Sequence, residues 1–324
     1  MSAPPPVSIV IPTWNGSPWI RDTLASALAQ THGEFECLVV DDGSSDGTAE
    51  LARSVTDPRI RVVACSTNVG IIGNWNRAVA LSRGSLVKFL FHDDLLEPQC
   101  LQTMVARFAE RPDAGFVFSR REMLVDDQGD PEAAAAWWER FASLHAAYGS
   151  VPRWSEAGAL FKPWAAAKCI GNWIGEPTCV MVRREAFVRT GLFHVRMVQL
   201  ADMEMWARLA FHFPVGFVDE PLCRFRVHAK SATRRHTTGA RDWLDRLWML
   251  DGLLDDEAIA SARPDVAKMR RHEARAVAKR LLRGHGADTR LTPKRAIPGM
   301  RAWIGHRLER LARVRVPLHP PLKG

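Results

Sequence analysis

No stretch of this 324-residue chain reaches the roughly 18 to 20 unbroken apolar residues that a bilayer-spanning helix requires. The opening MSAPPPVSIVIP has neither a basic n-region nor an apolar h-region ahead of a cleavage site, so the cytoplasm is the expected location. Six cysteines (Cys37, Cys65, Cys100, Cys169, Cys179, Cys223) are scattered without a Cys-x-x-Cys pair. That spacing argues against a zinc knuckle and a disulfide framework, and reduced, mostly buried thiols are expected. Internal repeats and low-complexity tracts are missing. The first strand-like run is followed by PTWNGS instead of Gly-x-Gly-x-x-Gly, and no Walker loop occurs. No Gly-x-Ser-x-Gly follows a strand, which removes a serine hydrolase. An EF-hand loop begun at Asp42 would hold Ser44, Asp46 and Gly47 in register, yet its twelfth position is Arg53 in place of a bidentate Glu.

What is present is a composition able to bury a full core, 47% hydrophobic and 25% charged, with the charge unevenly spread. From Arg263 to Gly324 there are 17 Lys and Arg against 4 Asp and Glu, a balance of +13, which leaves residues 1–262 at −5. Two readings of this basic tail stand side by side: contact with something anionic, or a solvated helical hairpin kept soluble by its arginines.

Residues 7–119 alternate β-branched runs (VSIVIP, CLVVD, IRVVA, LVKFLF, GFVFS) with stretches of helical spacing such as Trp19, Ile20, Leu24, Ala27 and Leu28. Strand and helix repeated in this way predict a doubly wound, mostly parallel α/β sheet with right-handed crossovers. Residues 120–175 break the rhythm with tryptophans (Trp137, Trp138, Trp154, Trp164, Trp173) and prolines, and read as irregular structure with short helices. Beyond them, PTCVMVRREAFVRTGLF predicts a strand and a short helix, ADMEMWARLAFHF a helix, and VGFVDEPLCRFRVH a pair of short strands. From Gly239 the signal is helical, with breaks at Pro264, 284–286, Pro293 and Pro317. The expected organisation is a domain over 1–237, divided into a nucleotide-binding half (1–119) and an acceptor half (120–237), followed by a basic helical region over 238–324.

In an open parallel sheet, ligands bind outside the carboxyl ends of the strands. Here those ends read PTWNGS, DDGSSDG and HDDLLEP, so acidic and polar side chains converge on one rim. Glycine-rich turns suit a phosphate, but Asp41, Asp42, Asp93 and Asp94 repel it unless a cation intervenes, and oxygen ligands favour Mg²⁺ or Mn²⁺.

The segments VSIVIPTWNG, LVVDDGSSDGT, NVGIIGNWNRA, FLFHDDLLEP, GEPTCVMVRREAF, LADMEMWARLA and LCRFRVH, in this order from Val7 to Ser231, resemble the inverting family 2 glycosyltransferases with a GT-A fold. The resemblance implies transfer of a sugar from a nucleoside-diphosphate-sugar to a hydroxyl acceptor, a glycan or lipid-linked glycan of surface polysaccharide synthesis, with Mn²⁺ or Mg²⁺ as cofactor. It implies donor-nucleotide contacts from Pro12, Thr13, Trp14 and Asn15, with Trp14 in place of the usual Tyr, and from Asn68. Asp42 would accept from the base imide. His92-Asp93-Asp94 occupies the place of the family's Asp-x-Asp signature, its first acidic position being His92. By the same resemblance Asp94 would ligate the metal and Asp93 would contact ribose or the metal's waters. His228 matches a family histidine that reaches the metal or the leaving diphosphate. Asp202 matches the family's catalytic base, with Ala201 where the family carries Glu.

The residues alone also allow quieter duties. Asp41, Ser44 and Asp46 suit turn-building, and Glu204 with Arg208 suits an i, i+4 surface pair. Arg183 and Arg184 suit a strand end, with the acceptor side as the alternative. The tail spacing of Trp303, Ile304, Leu308 and Leu311 beside Arg301, Arg307 and Arg310 permits peripheral contact with the inner face of a membrane. Two rivals remain open: a sugar-nucleotide pyrophosphorylase, which would want a Gly-rich basic loop where TWNGSPW stands, and a non-catalytic protein binding sugar nucleotides or nucleic acid through the tail.

Overall fold

The structure, a computed structural model, describes residues 6–125, 151–160, 172, 174–197, 199–228, 241–283 and 322. Two buried runs start the fold: β1 (Val7–Thr13) and β2 (Phe35–Asp41) hold no exposed residue and pair in parallel from Val7 opposite Phe35 to Thr13 opposite Asp41. Near-continuous apolar sequence is what a strand covered on both faces requires. β3 (Ile60–Ala64) adds to the outer side of β2, and β4 (Leu86–Phe89) to the other side of β1, both parallel. The connecting helices are α1 (Ile20–Leu28), α2 (Thr48–Arg53) and α3 (Ile71–Leu81). In α1, Ile20, Thr23, Leu24 and Ala27 are buried, the i, i+3, i+4, i+7 stripe of a helix laid on a sheet. α4 (Cys100–Glu110) repeats the device with Cys100, Leu101, Met104 and Phe108.

Beyond β4 the pairing becomes mixed, where the alternation in sequence predicts parallel strands. β5 (Leu95–Leu96) is a two-residue strand, and β6 (Phe116–Val125) does not neighbour β4. Between them lies β8 (Val180–Arg183), antiparallel to both. β9 (Val215–Val227) is one strand of 13 residues, not the expected pair; it runs parallel to β6 and shifts register near Asp219–Pro221, where it is exposed. β7 (Trp154–Ser155) and β5 pair antiparallel to β9, giving the order β3-β2-β1-β4-β8-β6-β9-β5.

α5 (Arg184–Thr190) and α6 (Ala201–His212) cover the second half, joined to the first by Asn76, whose amide exchanges two 2.9 Å bonds with the Phe193 backbone. α7 (Arg241–Asp255) and α8 (Arg263–Arg283) follow, and Trp248, Met249, Leu250, Leu253 and Val266 belong to the same apolar core as the sheet. Pro264, expected to break a helix, lies in the first turn of α8, where its missing N–H has no intrahelical partner to lose. No helix among the described residues is long and apolar enough to cross a membrane. The tail residues Trp303, Ile304, Leu308 and Leu311, together with Trp137, Trp138, Trp164, Trp173 and Cys169, lie outside the described residues.

Candidate active site

The loops after β1 and β2 are sewn together. Asn15, at φ 52°, donates its N–H to Ser44 Oγ (2.8 Å) and accepts from Ser45 N (3.0 Å), while Gly16 N donates to Thr48 Oγ1 (2.9 Å). Asp41 accepts from Ser44 N and Oγ, and Asp46 from Ser17 N and Thr48 N, so these acids build the turn. Gly16 has no room for a side chain, since a Cβ there would meet the His92 ring at 2.5 Å. Pro12 and Thr13 are buried beneath this rim; Trp14 stands out of it, 43% exposed.

Asp42 differs from the expectation of a base-reading carboxylate. It is 2% exposed and turned to the start of α3, accepting from Val69 N and Gly70 N (3.0 Å each) and pairing with Arg77 Nη1 at 2.9 Å. A carboxylate at a helix N-terminus satisfies donors that the helix itself leaves open. Asn68, also expected at the nucleotide, spends its amide on Asp42 O (2.9 Å) and Gly70 N (3.0 Å).

Within the His92-Asp93-Asp94 triplet the two carboxyls sit in different surroundings. Asp94 is fully buried: Oδ2 accepts from Thr178 Oγ1 (2.5 Å) and Oδ1 from Arg226 N (2.9 Å). Burial and the neighbouring Asp93 charge push its carboxyl well above the ordinary range. Asp93, 18% exposed, faces the rim with Oδ2 at 3.0 Å from His228 Nε2. Burial pushes Asp93 up, but His92 and His228 outweigh it and hold the carboxyl below its usual value. The His228 ring in turn lies against Trp19, ring centres 4.0 Å apart. Spacing alone put Trp19 on the core stripe of α1; it precedes that helix and serves the histidine instead.

Asp202 stands in the first turn of α6, half-buried, with Oδ1 accepting from Met203 N (2.8 Å) and Oδ2 from Asn172 Nδ2 (2.6 Å). Burial, reinforced by the Glu176 charge, raises its pKa to about 7. Glu176 acts on Asp94 as well, so its charge bears on both carboxyls. That segment precedes β8, and because β8 runs antiparallel to β4 its leading residues lie at the carboxyl end of β4. Glu176 pairs with the buried Arg121 at 2.8 Å. Fully buried Lys88 donates to Thr178 O. Asn172, Glu176, Thr178, Lys88 and Arg121 carry no expected role in the sequence; the quoted GEPT was the one signal pointing to this segment.

The second half holds its own corrections. Glu204 and Arg208, expected on the surface, form a buried pair at 2.9 Å, and Arg208 also donates to the carbonyls of Thr190, Gly191 and Leu192. Arg183 and Arg184 donate to backbone carbonyls, as a strand-end role predicts. Asp245 of α7 accepts from Gln199 N (2.6 Å) and Leu200 N (3.2 Å), capping the helix that carries Asp202. Trp206 is buried, and Trp154 donates to Glu110. Among the described residues no group of three or more His, Cys, Asp and Glu side chains could hold a metal ion.

A mixed α/β sheet whose carboxyl rim gathers these groups is the GT-A architecture of glycosyltransferases. S. aureus TarS (residues 1–349, with UDP-GlcNAc) shares it at a TM-score of 0.63 and 16% identity, over 82% of this chain and 72% of that one. A mannosyltransferase from Pyrobaculum calidifontis, in complex with GDP-Man and Mn²⁺, matches at 0.53 and 20% identity over 96% and 88% of the two chains. The chain belongs to glycosyl transferase family 2, whose model matches residues 8–189, more than half of its length. An uncharacterized protein of Mycobacterium tuberculosis, MT1568, is 34% identical over 254 residues, 78% of this chain and 77% of that protein.

Proposed function

We propose that this glycosyltransferase moves a sugar from a nucleoside-diphosphate-sugar to a hydroxyl of a glycan or lipid-linked acceptor, with inversion, and that Asp202 is its base. The observation that carries this reading is a half-buried carboxyl in the first turn of α6, gripped by Met203 N and Asn172 Nδ2 and pushed up by burial. An ordinary aspartate is too weak a base for a hydroxyl proton, and one tuned to about 7 combines strength with availability near neutral pH. Asp202 takes the acceptor proton as that oxygen bonds the anomeric carbon. The bond from carbon to the diphosphate oxygen breaks on the opposite face, its electron pair leaving with the diphosphate. A single displacement of this kind inverts the configuration.

Asp93 and His228 would hold a divalent cation beside the diphosphate. The donor set fits: an ionised carboxylate and an imidazole nitrogen 3.0 Å apart on the rim. When bound, the cation supplies positive charge against the diphosphate. Asp94, enclosed by Thr178 and Arg226, buttresses the triplet in place of the ligand role. Trp14 offers an exposed indole face for the base. The organisation into a nucleotide half and an acceptor half is part of this reading. So is a cytoplasmic place at the inner face of the membrane, with nucleic acid no part of it.

The test is Asp202→Asn. Release of nucleoside diphosphate should cease while UDP-GlcNAc or GDP-mannose with Mn²⁺ still raises the melting temperature as in the parent. Lost stabilisation together with retained transfer contradicts the assignment.

A further inference from the structure

Asp202 is gripped from outside its own helix. Asn172 Nδ2 donates to its Oδ2 at 2.6 Å, and the same amide accepts from Gly175 N through Oδ1 at 3.0 Å. The second bond fixes which end of the amide meets the carboxylate, because only the oxygen can accept from an N–H. Gly175 O in turn accepts from Trp206 Nε1 at 3.1 Å, and Trp206 lies one turn after Asp202 on the same helix. The circuit from Asp202 through Asn172, Gly175 and Trp206 back to α6 is therefore closed. Gly175 makes it rigid: its φ of +110° disfavours any other residue, and a Cβ there would meet Cys179 Sγ at 3.0 Å.

We propose that Asn172 is a positioning residue that holds the Asp202 carboxylate in one orientation for the acceptor hydroxyl, an inference that rests on Asp202 being the base. Met203 N occupies one lone pair of Oδ1 and Asn172 one of Oδ2, so each oxygen keeps a lone pair for the acceptor. A neutral amide suits the duty, since it donates at every pH and adds no charge beside Glu176. The charged groups that bear on Asp202 are Glu176 from the loop and, behind Glu176, Arg121 of β6. Asn172 favours the ionised form against them, so its loss raises the pKa of Asp202.

The experiment needs no substrate. The gain in melting temperature on adding Asp202→Asn is measured against pH in the parent and in an Asn172→Ala background, using the full chain. The gain is expected to level off near pH 7 in the parent and at a higher pH beside Asn172→Ala; an unmoved plateau onset overturns the proposal. In turnover, Asn172→Ala should lower kcat on the order of 10- to 100-fold with the donor KM unchanged. Asn172→Gln, which keeps an amide donor, should recover part of that loss, and full kcat in Asn172→Ala overturns the proposal. If Asp202→Asn itself turns over at the parent rate, the base assignment fails and the proposal falls with it. If Asp202→Asn is dead and Asn172→Ala keeps the full kcat of the parent, only the positioning role fails.

Discussion

The donor-side rim and the start of α6 use the same side chain to opposite ends. At the rim, Asp41, Asp42 and Asp46 are spent on backbone N–H groups and hydroxyls of neighbouring turns, and Asp94 is sealed beneath them. At α6, a single Asp202 stays partly exposed, with a raised pKa and a bond from Asn172. Density of negative charge therefore does not mark the chemistry. Asp94 and Asp202 each accept from two donors and are each pushed up by burial; what separates them is that Asp94 is sealed while Asp202 stays partly exposed.

The sharpest way to break the comparison is to remove the charge at each end. Asp202→Asn should lower kcat by about 10²- to 10⁴-fold, the span of a lost general base. The same change should raise the melting temperature, because the raised pKa makes Asp202 a burden on the folded state. The unfolded chain releases this proton near 3.8 and the folded one near 7, so stability falls across that window and the penalty is complete above it. The gain should thus be small at pH 4 and largest at pH 8, read by thermal melts.

Next in size is the pair within the triplet. Asp93→Asn should abolish the response of activity to added Mn²⁺ and lower turnover on the order of 100-fold, with His228→Ala acting alike. Asp94→Asn should keep turnover within about threefold, since Asp94 is enclosed by Thr178 and Arg226. Equal losses from Asp93→Asn and Asp94→Asn would contradict the division of roles. EDTA should stop the parent enzyme. The smallest effect belongs to Trp14→Ala, which forfeits stacking of about 0.5–1.5 kcal/mol and so weakens donor binding roughly 2- to 12-fold, seen in KM rather than kcat.

The parallel half of the sheet was legible in the chain because its strands are buried on both faces and its helices show clean stripes, as in α1 and α4. The insertion of β8 was not, since a four-residue apolar run carries no sign of direction. That one antiparallel strand explains the residues sequence reasoning passed over: it delivers Gly175–Thr178 to the end of β4, and with it Glu176, Thr178 and the grip on Asp202. The duties of Asp42, Asp93 and Asp94 were equally hidden, because their partners Arg77, His228, Thr178 and Arg226 come from 35 to 135 positions away. The helix start at Asp202 was legible, and the pKa of that residue is a product of burial that only the fold supplies.

The dependence of kcat/KM on pH tests the central claim most directly. The parent should gain turnover tenfold per pH unit on the acid side and level off near pH 7 as Asp202 loses its proton. Asp202→Asn should show a flat residual rate over the same range. An unchanged acid limb in that variant would place the base elsewhere.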